Sequence, residues 1–254
     1  MNKNIVFFDL ETTGVDRDAN NIRIIEISAI KVDKDTLEEV GRIYYKCNND
    51  DVPISQGATD KHGFKEEDLV GYPTFHQIAQ EVFEFFDGCD LGGYYCTFYD
   101  NAVLYMSFMR AGINWNYRDL KIYDIYTLYK KYNSGKLSEV YKKYTGKELV
   151  DAHEATADIT ATLDIYREQR KLGEEFDDSE LLIYQNNVDM AGNFKIRVND
   201  KGAKEVYIDF GKWKGKSIDQ IDKSYFAWMM KSADTFPLDT RHYAKKIYEK
   251  KGGA

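Results

Sequence analysis

The sequence predicts an α/β protein, with a mixed sheet flanked by helices and a small C-terminal α+β domain. Three observations predict it. The chain opens with three β-rich segments joined by short polar connections. From residue 75 the apolar residues recur at helical spacing, and these runs alternate with short β-rich ones. After residue 171 a polar, acidic stretch gives way to β-formers, glycines and lysines. Strands followed by alternating helices and strands imply layers of helix on a mixed sheet.

The elements follow in order. Residues 4–10, 22–33 and 40–47 read as strands: "IRIIEISAIKVD" alternates for part of its length and "GRIYYKC" is rich in β-formers. The connections "DRDANN" and "DKDTLEE" suit antiparallel neighbours. In "FHQIAQEVFEFFDG", Ile78, Val82, Phe85 and Phe86 fall at helical spacing and Gly88 ends the run. "DLGGYYC" reads as a short strand entering a loop, "NAVLYMSFMRAG" as a helix closed by Gly112, and "LKIYDI" as another strand. Helical patterns follow at 124–132, 136–145 and 152–171. The first domain is expected over residues 1–172, a linker over 173–180 and a small basic domain over 181–254. Within the last, "YFAWMMKSA" and "TRHYAKKIYEKK" read as short helices. In "FGKWKGK", Lys212, Lys214 and Lys216 alternate, which on a strand places them on one face.

Composition narrows the function classes. Hydrophobic residues make up 43% and charged residues 31%, as in an ordinary globular protein. Three cysteines without C-x-x-C spacing argue against a disulfide framework and against a zinc site of that type. They point to a reducing, cytoplasmic setting. The N-terminus does not read as a signal peptide, and no apolar run has membrane-helix length, so no membrane partner is expected. Charge is divided unevenly. Residues 1–194 carry 21 Lys+Arg against 35 Asp+Glu, whereas 195–254 carry 14 against 8. A basic segment can supply attraction to phosphates. It is equally what a solvated surface looks like.

Three stretches carry candidate chemistry. In "FDLETTG", Asp9 and Glu11 lie two apart at the end of an apolar strand, so they project together. Paired carboxylates suit a hard divalent cation, and a solvated strand end is the alternative. Asp100 in "YDNAVL" stands at a strand-to-helix junction, where it is an acid facing the site or an ordinary N-cap. In "DAHEATADITATLDIYREQ", Asp151 and Glu154 resemble a capping box, so a helix is expected to begin near Asp151. His153 and Asp158 are then about 140° apart around an ideal helix, and they meet only if His153 sits in a loose first turn.

Taken together, "FDLETTG", "YDNAVL" and "HEATAD" resemble the DEDDh family of 3′–5′ exonucleases, over roughly residues 4–170. "IIEISAI" and "ATDKHGFKEEDLVGYPTF" also resemble family segments, and "FGKWKGKSIDQI…YFAWMM" resembles the small C-terminal domain of exonuclease-X-like proteins. The resemblance implies an RNase H-like fold and removal of nucleotides from 3′ ends by two-metal-ion hydrolysis. It implies two divalent ions, Mg²⁺ or Mn²⁺, held by Asp9, Glu11, Asp100 and Asp158. Asp9 would bridge them, and His153 would act as general base. It further assigns the terminal nucleotide to Leu10, Thr12, Thr13 and Gly14, with His62 and Phe64 in a substrate-facing loop. For His62 the alternative is a loop histidine capping a carbonyl. The chain departs from the family pattern at Tyr95, where Asn is usual, and at Phe98-Tyr99. Single-stranded DNA ends are the favoured substrate. An exoribonuclease, an oligonucleotidase and a silent nucleic-acid-binding protein are the alternatives. The basic tail favours a stand-alone enzyme of DNA repair or replication over a polymerase's proofreading subunit.

Overall fold

The structure, a computed structural model, describes residues 2–14, 21–131, 135–150, 152, 154–232 and 235–253, except for the Phe98 side chain. These form two units. One takes residues 2–14, 22–115 and 120–182, and the other residues 21, 116–119 and 183–253.

The first unit is built on a five-stranded sheet. Strands β1 (Asn4–Thr12), β2 (Ile24–Asp33), β3 (Glu39–Lys46), β4 (Asp90–Gly93) and β5 (Ile122–Asp124) lie in the order β3-β2-β1-β4-β5. The first three are antiparallel neighbours, and β4 and β5 run parallel to β1. The parallel crossovers need intervening helices. These are α1 (Gln56–His62) and α2 (Phe75–Phe86) before β4, then α3 (Asp100–Arg110) before β5. After β5 come α4 (Ile125–Lys130), α5 (Leu137–Thr145), α6 (Ala155–Lys171) and α7 (Asp178–Leu181).

Alternation along β1 sends its side chains to two cores. Ile5 and Phe7 join Ile159, Leu163 and Tyr166 of α6. Phe8 meets Phe86 of α2 edge-on at 5.3 Å, and Phe86 in turn meets Phe108 of α3. Asp9 and Glu11 continue the Phe7 side, toward α6. Gly92 in β4 is dictated by this packing, because a Cβ there would lie 2.5 Å from the Phe7 ring, its partner in register. No helix among the described residues is long and apolar enough to cross a membrane.

The second unit pairs β6 (Phe194–Val198) with β7 (Lys204–Ile208) as a hairpin, packed with α8 (Lys223–Lys231) and α9 (Leu238–Lys250). Phe194, Ile208, Phe226, Met229, Ala244 and Ile247 form its core.

Three expectations change. The stretch 173–180 is more than a linker: Phe176 packs on the first core, α7 begins within it, and Lys121 and Lys131 pair with Asp178 and Glu180 at 2.6 and 2.5 Å. The units divide after residue 182. "FGKWKGK" is not a strand. Gly211–Trp213 form a 3₁₀ turn, so the three lysines do not share a strand face. Helix α6 starts at Ala155 with Glu154 as N-cap, later than the expected start near Asp151. Asp151 itself lies outside the described residues.

Candidate active site

The site grows from the end of β1. Asp9 and Glu11 are both half-buried, and Glu11 stands opposite Glu26 of β2 in register. Immediately afterwards the register shifts, between Glu11 and Thr12. Such an irregularity re-aims the side chains that follow it. Asp100 opens α3 just beyond β4, and Asp158 lies in the first turn of α6, which packs across β1 and β2. Three elements thus bring four acids to the end of β1.

The electrostatics show that they meet. Burial pushes the Asp9 carboxyl well above its ordinary range, and the charges of Asp100, Glu11, Asp158 and Glu26 push it further. Burial raises Glu11 to about 8, helped by Glu26, Asp158 and Asp100 and opposed by Lys61. Burial raises Asp100 to about 7; Asp124 adds to this, while a backbone hydrogen bond from Leu10 works against it. Neighbouring carboxylates in a poorly solvated pocket take up protons unless a cation compensates them. The donors are all oxygens, which fits Mg²⁺ or Mn²⁺ better than zinc. Among the described residues, no three Asp, Glu, His or Cys side chains already form a closed metal shell.

Beside the acids lies a cavity of about 180 Å³, lined by Leu10, Glu11, Thr12, Gly14, Ala58, Lys61, His62 and Tyr99. Of the residues assigned to the terminal nucleotide, Leu10, Thr12, Gly14 and His62 line it. Thr13 does not. Its side chain is buried and accepts from the Arg23 N–H at 3.0 Å, and its carbonyl accepts from Ser55. Phe64 is also outside the lining. Its ring lies 5.3 Å from that of His62, tilted by 38°, with Lys46 over it at 4.6 Å.

His62 takes the carbonyl-capping position that was the alternative for it, and it also lines the cavity. Its Nδ1 accepts from the Phe64 N–H at 3.0 Å, which leaves the proton on Nε2 to donate to the Thr12 carbonyl at 3.1 Å. Burial lowers its pKa, so the neutral ring is favoured. His62 therefore caps a carbonyl and walls the cavity at once. His153 lies outside the described residues.

The sequence reading missed three participants. Tyr99 reaches across 87 residues to share a 2.7 Å hydrogen bond with the Thr12 hydroxyl, and it also donates to the Gly14 carbonyl. Lys61 faces Glu11. Glu26 is 1% exposed and accepts from the Tyr44 hydroxyl at 2.8 Å and from the Ala155 N–H at 3.4 Å. Lys61 lay within the quoted "DKHGF" and Glu26 within "IIEISAI", where a lone acid in an apolar strand was the available signal. The loop before Asp100 is pinned by Asp124, which accepts from the N–H groups of Tyr95 and Thr97 at 3.0 and 3.1 Å. Tyr95 has a φ of 61°, in the left-handed region. Asn tolerates that conformation better than Tyr. The Tyr95 ring, 44% exposed, packs edge-on against Tyr126 at 5.1 Å.

Comparison with known proteins agrees with this arrangement. The sequence model of the exonuclease family, RNase T type, matches residues 6–166. The 3′–5′ exonuclease DinG of Staphylococcus saprophyticus is 30% identical over 158 residues, which are 61% of this chain and 17% of that protein. Among solved structures, the zinc-bound complex of Escherichia coli exonuclease I with single-stranded DNA superposes with a TM-score of 0.58 at 21% identity, over 68% of this chain and 41% of that one. The complex of the same enzyme with a dT13 oligonucleotide gives 0.58 at 18% identity, over 90% and 59%. These likenesses establish the RNase H-like exonuclease fold. With well over half of its length matched by the family model, the chain belongs to the exonuclease family.

Proposed function

We propose that this protein is a metal-dependent 3′–5′ exonuclease that releases nucleotides from the 3′ end of single-stranded DNA. One observation carries the reading: Asp9, Glu11, Asp100 and Asp158 converge, mutually repelling, beside the cavity walled by Leu10, Thr12, Gly14 and His62. The relatives support it, since a 3′–5′ exonuclease is among them and exonuclease I is seen with single-stranded DNA.

The four carboxylates would hold two divalent ions, Mg²⁺ or Mn²⁺. When bound, such ions supply charge stabilisation at phosphorus, a more acidic water and help for the leaving oxygen. The chain's own residues do the rest. The end of β1 and the His62 wall give the terminal nucleoside a partly enclosed seat. The ring of Tyr99 closes one side of it, held in place by Thr12 and Gly14. Lys61 offsets part of the acid charge where a phosphate must enter. His153 is the general base, taking the proton of the attacking water on an imidazole nitrogen, because its ordinary pKa lies near neutrality. The second unit adds affinity for nucleic acid, and the enzyme works alone in DNA repair or replication.

The test is degradation of 5′-labelled single-stranded DNA, duplex DNA and RNA with Mg²⁺ or Mn²⁺. Single-stranded DNA should shorten stepwise from its 3′ end. Chelation, or Asp9→Ala in a protein of unchanged fold, should abolish the shortening. Full activity in Asp9→Ala would overturn the assignment, and faster loss of RNA would move the substrate class.

A further inference from the structure

The second unit holds an aromatic surface that its core does not use. Helix α8 turns Phe226 and Met229 fully inward. One stripe over, Tyr225, Trp228 and Lys231 follow at every third position, so they are neighbours along the helix. Trp228 is 47% exposed. A single exposed tryptophan is ordinary, but this one is the outermost ring of a connected set. It lies 5.2 Å from Tyr225 with the planes tilted by 37°, and it meets Phe236 edge-on at 5.3 Å. Behind it, Tyr225 packs against Phe210 at 6.5 Å and Trp213 at 6.2 Å. These contacts fix the indole's orientation before anything binds, so little side-chain freedom is left to lose on stacking.

The surrounding charge indicates what would stack. Residues 183–254 carry 14 Lys+Arg against 9 Asp+Glu. Some of these cations are committed elsewhere: Lys195, Arg197 and Lys214 all gather on Asp209. Lys212 sits over the Trp213 ring at 5.3 Å, and Lys216 and Lys231 are exposed. Protein interfaces are depleted of lysine. Aromatic faces interleaved with lysines suit unpaired bases joined by phosphates, because every base has a π-face and every link a charge.

We propose that Trp228, backed by Tyr225 and followed one turn along the helix by Lys231, is a base-stacking platform for single-stranded nucleic acid. The proposal rests on the reading of the chain as a nuclease of single strands and adds the residues with which the second unit would hold them.

The test uses the full-length protein in EDTA with the oligonucleotide dT16, together with Trp228→Leu and Trp228→Phe. Leucine keeps an apolar side chain without a π-face, and phenylalanine keeps the face. Trp228→Leu should weaken dT16 binding about 5- to 150-fold, the range that loss of one stacked base implies. Trp228→Phe, at a similar melting temperature, should recover most of it. Lys231→Gln should flatten the salt dependence by a fraction of one counterion. Equal affinity of the leucine and phenylalanine variants would overturn the platform. So would an altered oligomeric state with unchanged dT16 affinity, which would mark a protein interface instead. Stepwise shortening of 5′-labelled dT16 by the wild-type protein with Mg²⁺ separates the two readings. Its absence from the wild type would sink the nuclease reading while leaving the binding result intact.

Discussion

Glu26 shows how one buried side chain can tie two elements of the site together. It faces Glu11 across the β1–β2 ladder, and one of its oxygens accepts from the first helical N–H of α6. Truncation at Glu26→Ala strands the buried Ala155 N–H, at a cost of about 1–3 kcal/mol. Glu26→Gln keeps an acceptor for Ala155 and removes a like charge beside Glu11. Denaturant unfolding in EDTA should therefore find the alanine variant clearly weaker than the glutamine one. Equal stabilities would mean that Glu26 anchors nothing. At this scale the sequence was legible for Asp9, Glu11, Asp100 and Asp158, whose motifs singled out four acids that come together at the end of β1. It was not legible for Thr12 and Thr13, since the strand ends at Thr12 just after the register shift, and Thr13 turns to accept from the Arg23 N–H instead of lining the cavity. Nor could it reveal Tyr99, whose bond to Thr12 spans most of the first domain's front half.

Elements were read well where a long period supported them, as in β1, β2, α2 and α6, and less well at ends and turns. The N-terminus of α6 slipped because the sequence of Asp151 and Glu154 imitates a capping box, yet Glu154 itself stands at the N-cap position, without a side-chain cap bond. The lysine alternation of "FGKWKGK" suggested a strand where glycines at 211 and 215, with φ of 55° and 80°, build a turn. The packing of α9 on its neighbours holds a feature with a measurable consequence. Asp189 and Asp239 are 1% and 4% exposed. Burial raises both carboxyls, and the nearby Asp189 charge helps to raise Asp239 to about 7. A folded pKa above the unfolded one means that the native state binds more protons, so stability is greatest below the ordinary pKa of 3.8 and declines as pH rises toward 7. Asp189 accepts from the Phe194 N–H at 2.8 Å and from the Thr240 hydroxyl. An asparagine can keep both contacts, because a hydroxyl can turn to accept. Asp189→Asn should therefore raise protection of β6, β7 and α9 amides in hydrogen exchange at pH 8 and flatten its pH dependence. Wild-type behaviour across that range would mean that the two acids do not share this strain.

The whole molecule joins an acidic unit carrying the candidate chemistry to a basic one carrying none of it. Each has its own core, one around Phe7, Ile159 and Tyr166 and one around Phe194, Phe226 and Ile247. Separate cores give each unit its own buried apolar surface, which is the physical basis for folding separately. The place to cut follows from the structure rather than from composition. The acidic stretch at 173–180 looked like a hinge, yet Phe176, Asp178, Glu180 and Leu181 all bind the first unit, so a cut before them would strip its core. A truncation ending at residue 182 should keep its fold and its cleavage of short oligonucleotides at high concentration. It should lose affinity for longer single strands. Its binding should also depend less steeply on salt, because fewer counterions are released when the lysines of the second unit are gone. The charge division supports this, with 14 Lys+Arg against 8 Asp+Glu after residue 194 in a chain of net charge −8. Binding titrations of both proteins across a salt series decide the matter. Identical affinities and slopes would leave the second unit with a role other than holding nucleic acid, and would count against the Trp228 platform as well.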